Sequence, residues 1–348
     1  MSFTECLKTI DLELQNDFRE RKLYSRFLYQ SYSRLHDKGC SSFGFDFKKK
    51  YDNVHSCANF LDFGYTDAGT VKLSKASFCK DKLCPMCAWR RSKKIYSQVH
   101  SCVDYMKDDY QFIMLTLTVR NVGSSSLSDT ITHLNYSFSK MVKYSAFNRI
   151  CKGCLKVLEI TYNRERDDYH PHFHVLIAVG KNYFRSDDYL KQFDFLSMWR
   201  RATKDNTITQ VDVRKIHYNP NRPELSTISS AVAEVAKYSV KPSDYIFTDS
   251  SFLTDKVVYT LSTSLHHRRL VSFMGVFDTV RKHLGLDDCF DGDLLHTDDE
   301  KKDGEIVAIY RYHWLHGKYR LYAVDTVDFS VADLDFVVDP ETGEVLVE

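Results

Sequence analysis

The sequence predicts an α+β protein with a central antiparallel β-sheet flanked by helices, preceded by an N-terminal helical and cysteine-rich extension. Three observations carry this. Runs of β-branched and aromatic residues of strand length are separated by segments whose apolar residues recur at helical spacing. Two of those runs, LKVLEITY and HFHVLIAV, are joined by the polar stretch NRERDDY, which fits a hairpin. The resulting order, β-α-β-β-α-β-α, suits an antiparallel sheet with helices packed on it.

Taken in order, SKKIYSQVHSCVDYMKD reads as a helix and QFIMLTLTVRN as a strand ending at Asn121-Val-Gly. Leu127, Ile131, Leu134, Phe138, Met141 and Val142 then fall on one helical face, with Ser128 and Asp129 as N-cap candidates. After the hairpin, Ser186 to Arg201 reads as a helix, TITQVDVRKI as a strand, and LSTISSAVAEVAKYSV as a helix that stops before Pro242. Residues 265–286, LHHRRLVSFMGVFDTVRKHLGL, read as a further helix packing Val271, Phe273, Val276, Phe277, Val280 and Leu284 on the core, with Arg268 and Arg269 as possible phosphate contacts. The expected divisions are a helical region over 1–53, a cysteine-rich basic segment over 54–110, the α+β domain over 111–286 and an acidic region over 287–348.

With 348 residues, 43% of them hydrophobic, the chain is long enough to bury one large core with additions, or two cores. No run of about 18 apolar residues occurs, so a membrane span is not expected and a cytoplasmic protein is. The ten cysteines are then expected as reduced thiols or metal ligands rather than disulfides. A net charge of +1 argues against a whole-surface nucleic-acid binder, yet residues 72–107 hold nine basic side chains against two acidic ones. Such a segment suits a phosphate backbone, and Arg90, Arg91, Lys93 and Lys94 are its DNA-binding candidates; a solvated helix face is the alternative.

In HPHFHVLIAV, His170, His172 and His174 share one face of a strand while Phe173 points into the opposite layer. Two imidazoles on one face can share a divalent ion, given a third ligand and an open position. If the hairpin turns near Arg166, Glu159 lies across from residues 172–174, and a carboxylate inside LKVLEITY is costly to bury unless paired or metal-bound. Glu159, His172 and His174 are therefore the expected ligands of a catalytic divalent metal, Mn²⁺ or Mg²⁺, although the donor set also accepts Zn²⁺ or Co²⁺. The competing reading is a pair of strand histidines satisfied by Glu159. Downstream, Glu234 and Tyr238 are four apart on one helix face, with Lys237 and Lys241 forming a second such pair. A tyrosine hydroxyl aimed at a metal-polarised phosphate can act as nucleophile, with the glutamate as base; an amphipathic surface tyrosine is the bland alternative. Cys79, Cys84 and Cys87, with Cys57 upstream, offer four thiolates at zinc spacing, and Cys151 and Cys154 compete for two of those places.

Read together, FIMLTLTVRN, HPHFHVLI and EVAKYSVKPSDY resemble, in that order, the three motifs of rolling-circle plasmid replication initiators of the single-tyrosine HUH endonuclease type, and CKDKLCPMCAWRRSKK resembles the cysteine-rich segment that precedes them. The likeness runs from about Cys57 to about Leu286. It implies an HUH-like catalytic core and a metal-dependent nick at the plasmid's double-strand origin, with Tyr238 forming a 5′-phosphotyrosine and releasing a 3′-OH primer. It further implies that Glu234 activates water for the terminating cleavage and that Lys241 offsets phosphate charge. Origin DNA, a host helicase and a DNA polymerase are the implied partners, with a homodimer possible and no membrane. An HUH transposase shares this chemistry, a conjugative relaxase usually carries its tyrosine before the histidine motif, and a zinc-dependent DNA-binding regulator would lack catalysis.

Overall fold

Apolar runs build a four-stranded and a five-stranded β-sheet, beside a two-stranded pair of Phe336–Val338 with Val345–Val347, in the computed structural model, which describes residues 7–8, 10–12, 14–40, 45–217, 228–237, 239–288, 292–297, 304–326, 336–338 and 345–347. In chain order the main elements begin with α1 (Glu20–Asp37), α2 (Phe47–Ser56), β1 (Phe60–Thr66), β2 (Val71–Ala76), α3 (Pro85–Met106), β3 (Tyr110–Thr118), α4 (Leu127–Met141) and α5 (Ser145–Ile150). There follow β4 (Gly153–Asn163), β5 (Asp168–Gly180), α6 (Gln192–Thr203), β6 (Asp212–Ile216), α7 (Ile228–Ala236), α8 (Ser251–Ser264), β7 (Val271–Gly275), α9 (Val276–His283), β8 (Ile306–Leu315) and β9 (Lys318–Thr326). Two units form: residues 1–90 with 294–348, and residues 91–293. No helix of the described residues is long and apolar enough to cross a membrane.

The first unit holds a four-stranded antiparallel sheet in the order β2-β1-β8-β9. Its strands come from opposite ends of the chain. Phe60–Thr66 pairs with Ile306–Leu315 in a register that sets Phe63 beside Tyr310. The β8–β9 hairpin closes through His316 and Gly317, both with positive φ, as a two-residue turn matched to strand twist requires. Phe18 seals the core edge-on against Trp89 at 5.0 Å and Phe63 at 6.0 Å. These strands are not among the sequence expectations, although FLDFGYTDAGTVKLSKA and IVAIYRYHWLHGKYRLYAV both carry the alternation and turn residues that mark hairpins.

In the second unit, five strands form an antiparallel sheet in the order β6-β3-β5-β4-β7. The expected β-α-β-β-α-β-α order is present as β3-α4-β4-β5-α6-β6-α7, with the short α5 before the hairpin. One face of the sheet, with Lys156 and Phe173, packs on α4 through Phe138, 5.8 Å from Phe173. The long central strand β5 is buried along nearly its whole length, which is why HFHVLIAV is apolar at both parities after its histidines.

Residues 265–286 depart from the expected single helix. Val271–Gly275 is a strand pairing with β4, and only Val276–His283 is helical. The β4 edge presents unpaired backbone groups that a strand satisfies and a helix does not. The switch occurs at Gly275, whose φ of +60° is a conformation other residues avoid, and whose Cβ would lie 2.5 Å from the Lys152 carbonyl oxygen. Arg268 donates to the Ser128 carbonyl at 2.9 Å, and the exposed Arg269 pairs with Asp288 at 2.6 Å.

Candidate metal centre and its surroundings

The hairpin between β4 and β5 sets Glu159 directly opposite His172, and the period of two brings His174 onto the same face one pair along. All three side chains are buried. His174 Nε2 lies 2.9 Å from Glu159 Oε2, and His172 Nε2 lies 3.6 Å from the same oxygen. The three potential ligand atoms fall within 4.8 Å of one another, a spacing that could hold a metal ion.

Both imidazoles are anchored from behind. His172 Nδ1 is 3.1 Å from the His170 carbonyl, and His174 Nδ1 is 3.3 Å from Thr116 Oγ1 on β3. With an ion in place, an Nδ1–H donated to each oxygen would leave the Nε2 lone pairs directed at the shared centre, the orientation metal-binding histidines need. Thr116 escaped the sequence reading because its partnership with His174 depends on β3 lying beside β5. His170 contributes through its carbonyl, and its ring stacks on His172 with centroids 5.0 Å apart.

Negative charge gathers here. Burial raises the pKa of Glu159, but the hydrogen bonds and charge of His172 and His174 outweigh it and hold the carboxyl well below the ordinary carboxylate range. Glu234, on α7, approaches His174 Nε2 to 3.7 Å and pairs with Lys237. Burial raises the pKa of Asp244, and the charge of Glu159 adds to the rise, against Ser243 and Lys241. Glu159 and Glu234 thus both approach His174, a carboxylate–imidazole set that suits a divalent cation. Lys241 is exposed at the start of the Pro242–Asp244 turn. Tyr238 lies outside the described residues. Its neighbour Ser239 accepts a hydrogen bond from the amide of Ile160, next to Glu159, at 2.8 Å.

A second cluster lies in the first unit. The sulfurs of Cys57, Cys79, Cys84 and Cys87 all fall within 4.8 Å of one another. Cys57 and Cys87 are 3.5 Å apart, Cys79 and Cys87 3.6 Å, and Cys57 and Cys84 3.7 Å. Tetrahedral thiolates around zinc have sulfur–sulfur edges of about 3.8 Å. Backbone amides of Cys79 and Lys80 point at Cys57 and Cys87 sulfurs, and Cys151 and Cys154 are not part of the group. Burial lowers the pKa of the Lys22 ammonium, and the four cysteine sulfurs oppose that by favouring its charge.

The basic run behaves differently from the expectation. Arg90 is 3% exposed; its guanidinium donates to the carbonyls of Leu294 at 2.9 Å and Leu295 at 2.5 Å. Arg91 and Lys94 are also buried, and Lys94 pairs with Asp287 at 2.6 Å. Only Lys93 is partly exposed. Buried carbonyls require donors, which Arg90 supplies, and the burial of Arg90, Arg91 and Lys94 corrects the expectation that these three meet phosphate.

Comparison with known proteins decides the family. A model of the replication protein family matches residues 70–322. The chain belongs to that family. A "Protein rep" of Bacillus amyloliquefaciens is 34% identical over 319 residues, spanning 86% of this chain and 92% of the relative. A "Protein rep" of Staphylococcus aureus is 41% identical over 210 residues, 59% of this chain and 88% of the relative, and one from Streptococcus pneumoniae is 35% identical over 269 residues, 74% and 81%. The likeness to plasmid replication initiators carried by the three motifs is thus borne out at the level of family. No solved structure matches.

Proposed function

We propose that the chain initiates plasmid rolling-circle replication by nicking one strand of its origin through a metal-dependent transesterification. The observation that carries this is the convergence of Glu159, His172 and His174 on one point, with both Nδ1 atoms anchored. A divalent ion held there, Mn²⁺ or Mg²⁺, supplies Lewis-acid polarisation of the scissile phosphate. Glu159 and the two Nε2 atoms hold that ion on the sheet face. The Tyr238 hydroxyl attacks phosphorus, the phosphorus–O3′ bond breaks, and the O3′ leaves protonated as a primer terminus while the 5′-phosphate stays on Tyr238. Because one phosphodiester replaces another, closure needs no nucleotide hydrolysis. Glu234, next to His174 and on the helix preceding Tyr238, takes the proton of a water in the terminating cleavage. Lys241 offsets phosphate charge. Cys57, Cys79, Cys84 and Cys87 would hold zinc as a structural ion of the first unit. Origin DNA is the substrate, and a helicase and polymerase act on the product.

The test uses purified protein, Mn²⁺ and a labelled single-stranded oligonucleotide carrying the origin nick site. A denaturation-resistant protein–DNA adduct is expected, lost in Tyr238→Phe and retained in Glu234→Ala. An adduct that persists in Tyr238→Phe refutes the nucleophile. DNA binding without any adduct leaves a regulator in place of a nickase.

A further inference from the structure

A cavity of about 400 Å³ opens in the first unit, well away in sequence from the metal centre, and Lys22, Arg26, Tyr29, His55, Asn59 and Trp314 are among the residues lining it. Among the described residues no carboxylate lines it. Of the nearby acids, Asp17 pairs with Arg21 at 3.1 Å, Asp52 with Lys48 at 2.6 Å and Asp81 with Lys50 at 2.5 Å. Among the described residues no carboxylate pairs with Arg26. The Lys22 ammonium is held by its own oxygens and faces the cysteine sulfurs, so the Arg26 guanidinium is the charge at this cavity that an anionic ligand would neutralise.

Its walls are aromatic and held in place. His55 stacks on Tyr51 with centroids 5.6 Å apart and meets Tyr29 edge-on at 5.0 Å. Trp314 is packed edge-on by Tyr319 at 4.9 Å, and its backbone amide donates to the Asn59 carbonyl at 2.8 Å. The Lys22 ammonium donates to the carbonyls of His55 at 3.1 Å and Cys57 at 2.5 Å and to Asn59 Oδ1 at 2.7 Å. That last bond orients the Asn59 amide and leaves its Nδ2 as a donor. Rigid aromatic faces, a side-chain amide donor and an unpaired guanidinium are the parts that recognise a base and its phosphate together. A small inorganic anion would use the charge and leave the aromatic walls idle, and the volume lies in the range of small-molecule sites.

We infer that this cavity receives one unstacked nucleotide of a DNA strand, with Trp314 and Tyr29 as stacking faces, Asn59 as a donor to the base edge and Arg26 at the phosphate. It rests on the reading of the chain as an origin-binding initiator. Base–aromatic stacking tolerates any base, so the subsite grips an unpaired strand without reading its sequence.

The experiment measures fluorescence anisotropy of a labelled single-stranded oligonucleotide against the full chain carrying Tyr238→Phe, which removes covalent capture. Trp314→Leu is expected to weaken binding about 5- to 100-fold, and Trp314→Phe to restore most of it. Arg26→Gln weakens binding and reduces the slope of log affinity against log salt by about 0.7. Unchanged affinity and salt slope in both Trp314→Leu and Arg26→Gln, with folding confirmed by thermal midpoint, overturn the inference; so does a parent chain that binds no single strand. Free thymidine monophosphate provides the second arm. If it quenches Trp314 while oligonucleotide binding ignores both substitutions, the ligand is a free nucleotide and the DNA subsite is overturned. Nicking by the chain with Tyr238 intact is scored separately. Normal nicking with unaffected variants sinks the subsite alone, whereas absent nicking with weakened variants sinks the nickase reading and leaves the subsite standing.

Discussion

Replacing Lys156 by Met tests how the sheet beneath the metal centre is held. Lys156 lies on β4 facing away from the ligands and is 8% exposed. Its ammonium is 4.4 Å from the ring centre of Phe173, the residue between His172 and His174, and donates to Asn135 Oδ1 at 2.5 Å. Burial pushes its pKa down from 10.5 to about 8, with Cys154 opposing the drop. Because the folded state binds the proton less tightly than the unfolded chain, a penalty is present below pH 8 and is relieved as pH rises from about 8 toward 10.5. At about 1.4 kcal/mol per pH unit the full penalty is about 3 kcal/mol, of which about 1.3 kcal/mol is relieved between about pH 7 and pH 9. Lys156→Met removes the penalty together with one hydrogen bond and one cation–π contact, for a net gain of about 1–2 kcal/mol at neutral pH. Urea unfolding of both proteins at the two pH values, under reducing conditions, gives the comparison, and titrations common to both proteins cancel in the difference. The advantage of Lys156→Met should shrink by about 1.3 kcal/mol at the higher pH. A difference that stays constant with pH refutes the reasoning.

Three other outcomes are expected. Thr116→Val removes the oxygen behind His174 Nδ1 and should weaken Mn²⁺ binding about 10-fold by titration; equal affinity would show that Thr116 does not orient the ligand. Arg90→Met strands the Leu294 and Leu295 carbonyls and should cost about 2–4 kcal/mol in thermal or denaturant unfolding, while origin-DNA affinity below the unfolding midpoint stays unchanged. Gly275→Ala places a Cβ 2.5 Å from the Lys152 carbonyl oxygen at a φ of +60° and should destabilise by at least about 2 kcal/mol; a neutral effect in denaturant unfolding would mean that the β4–β7 junction relaxes.

What the sequence by itself determined were features decided between near neighbours. The period of two within HFHVLIAV and the short turn after LKVLEITY brought Glu159 opposite His172 without knowledge of the rest of the chain. The spacing of Cys79, Cys84 and Cys87 likewise declared its own cluster. Only the tertiary structure decided matters that depend on distant partners. An amphipathic helix with basic residues reads the same whether its charges meet water or buried carbonyls, so the partners of Arg90 at Leu294 and Leu295 and of Lys94 at Asp287 emerge only in the folded chain. The pairing of β1 with β8, the strand conformation of Val271–Gly275 and the support of His174 by Thr116 belong to the same class. Backbone groups and polar side chains in those places are satisfied by segments far along the chain, and local patterning carries no record of which segment will arrive.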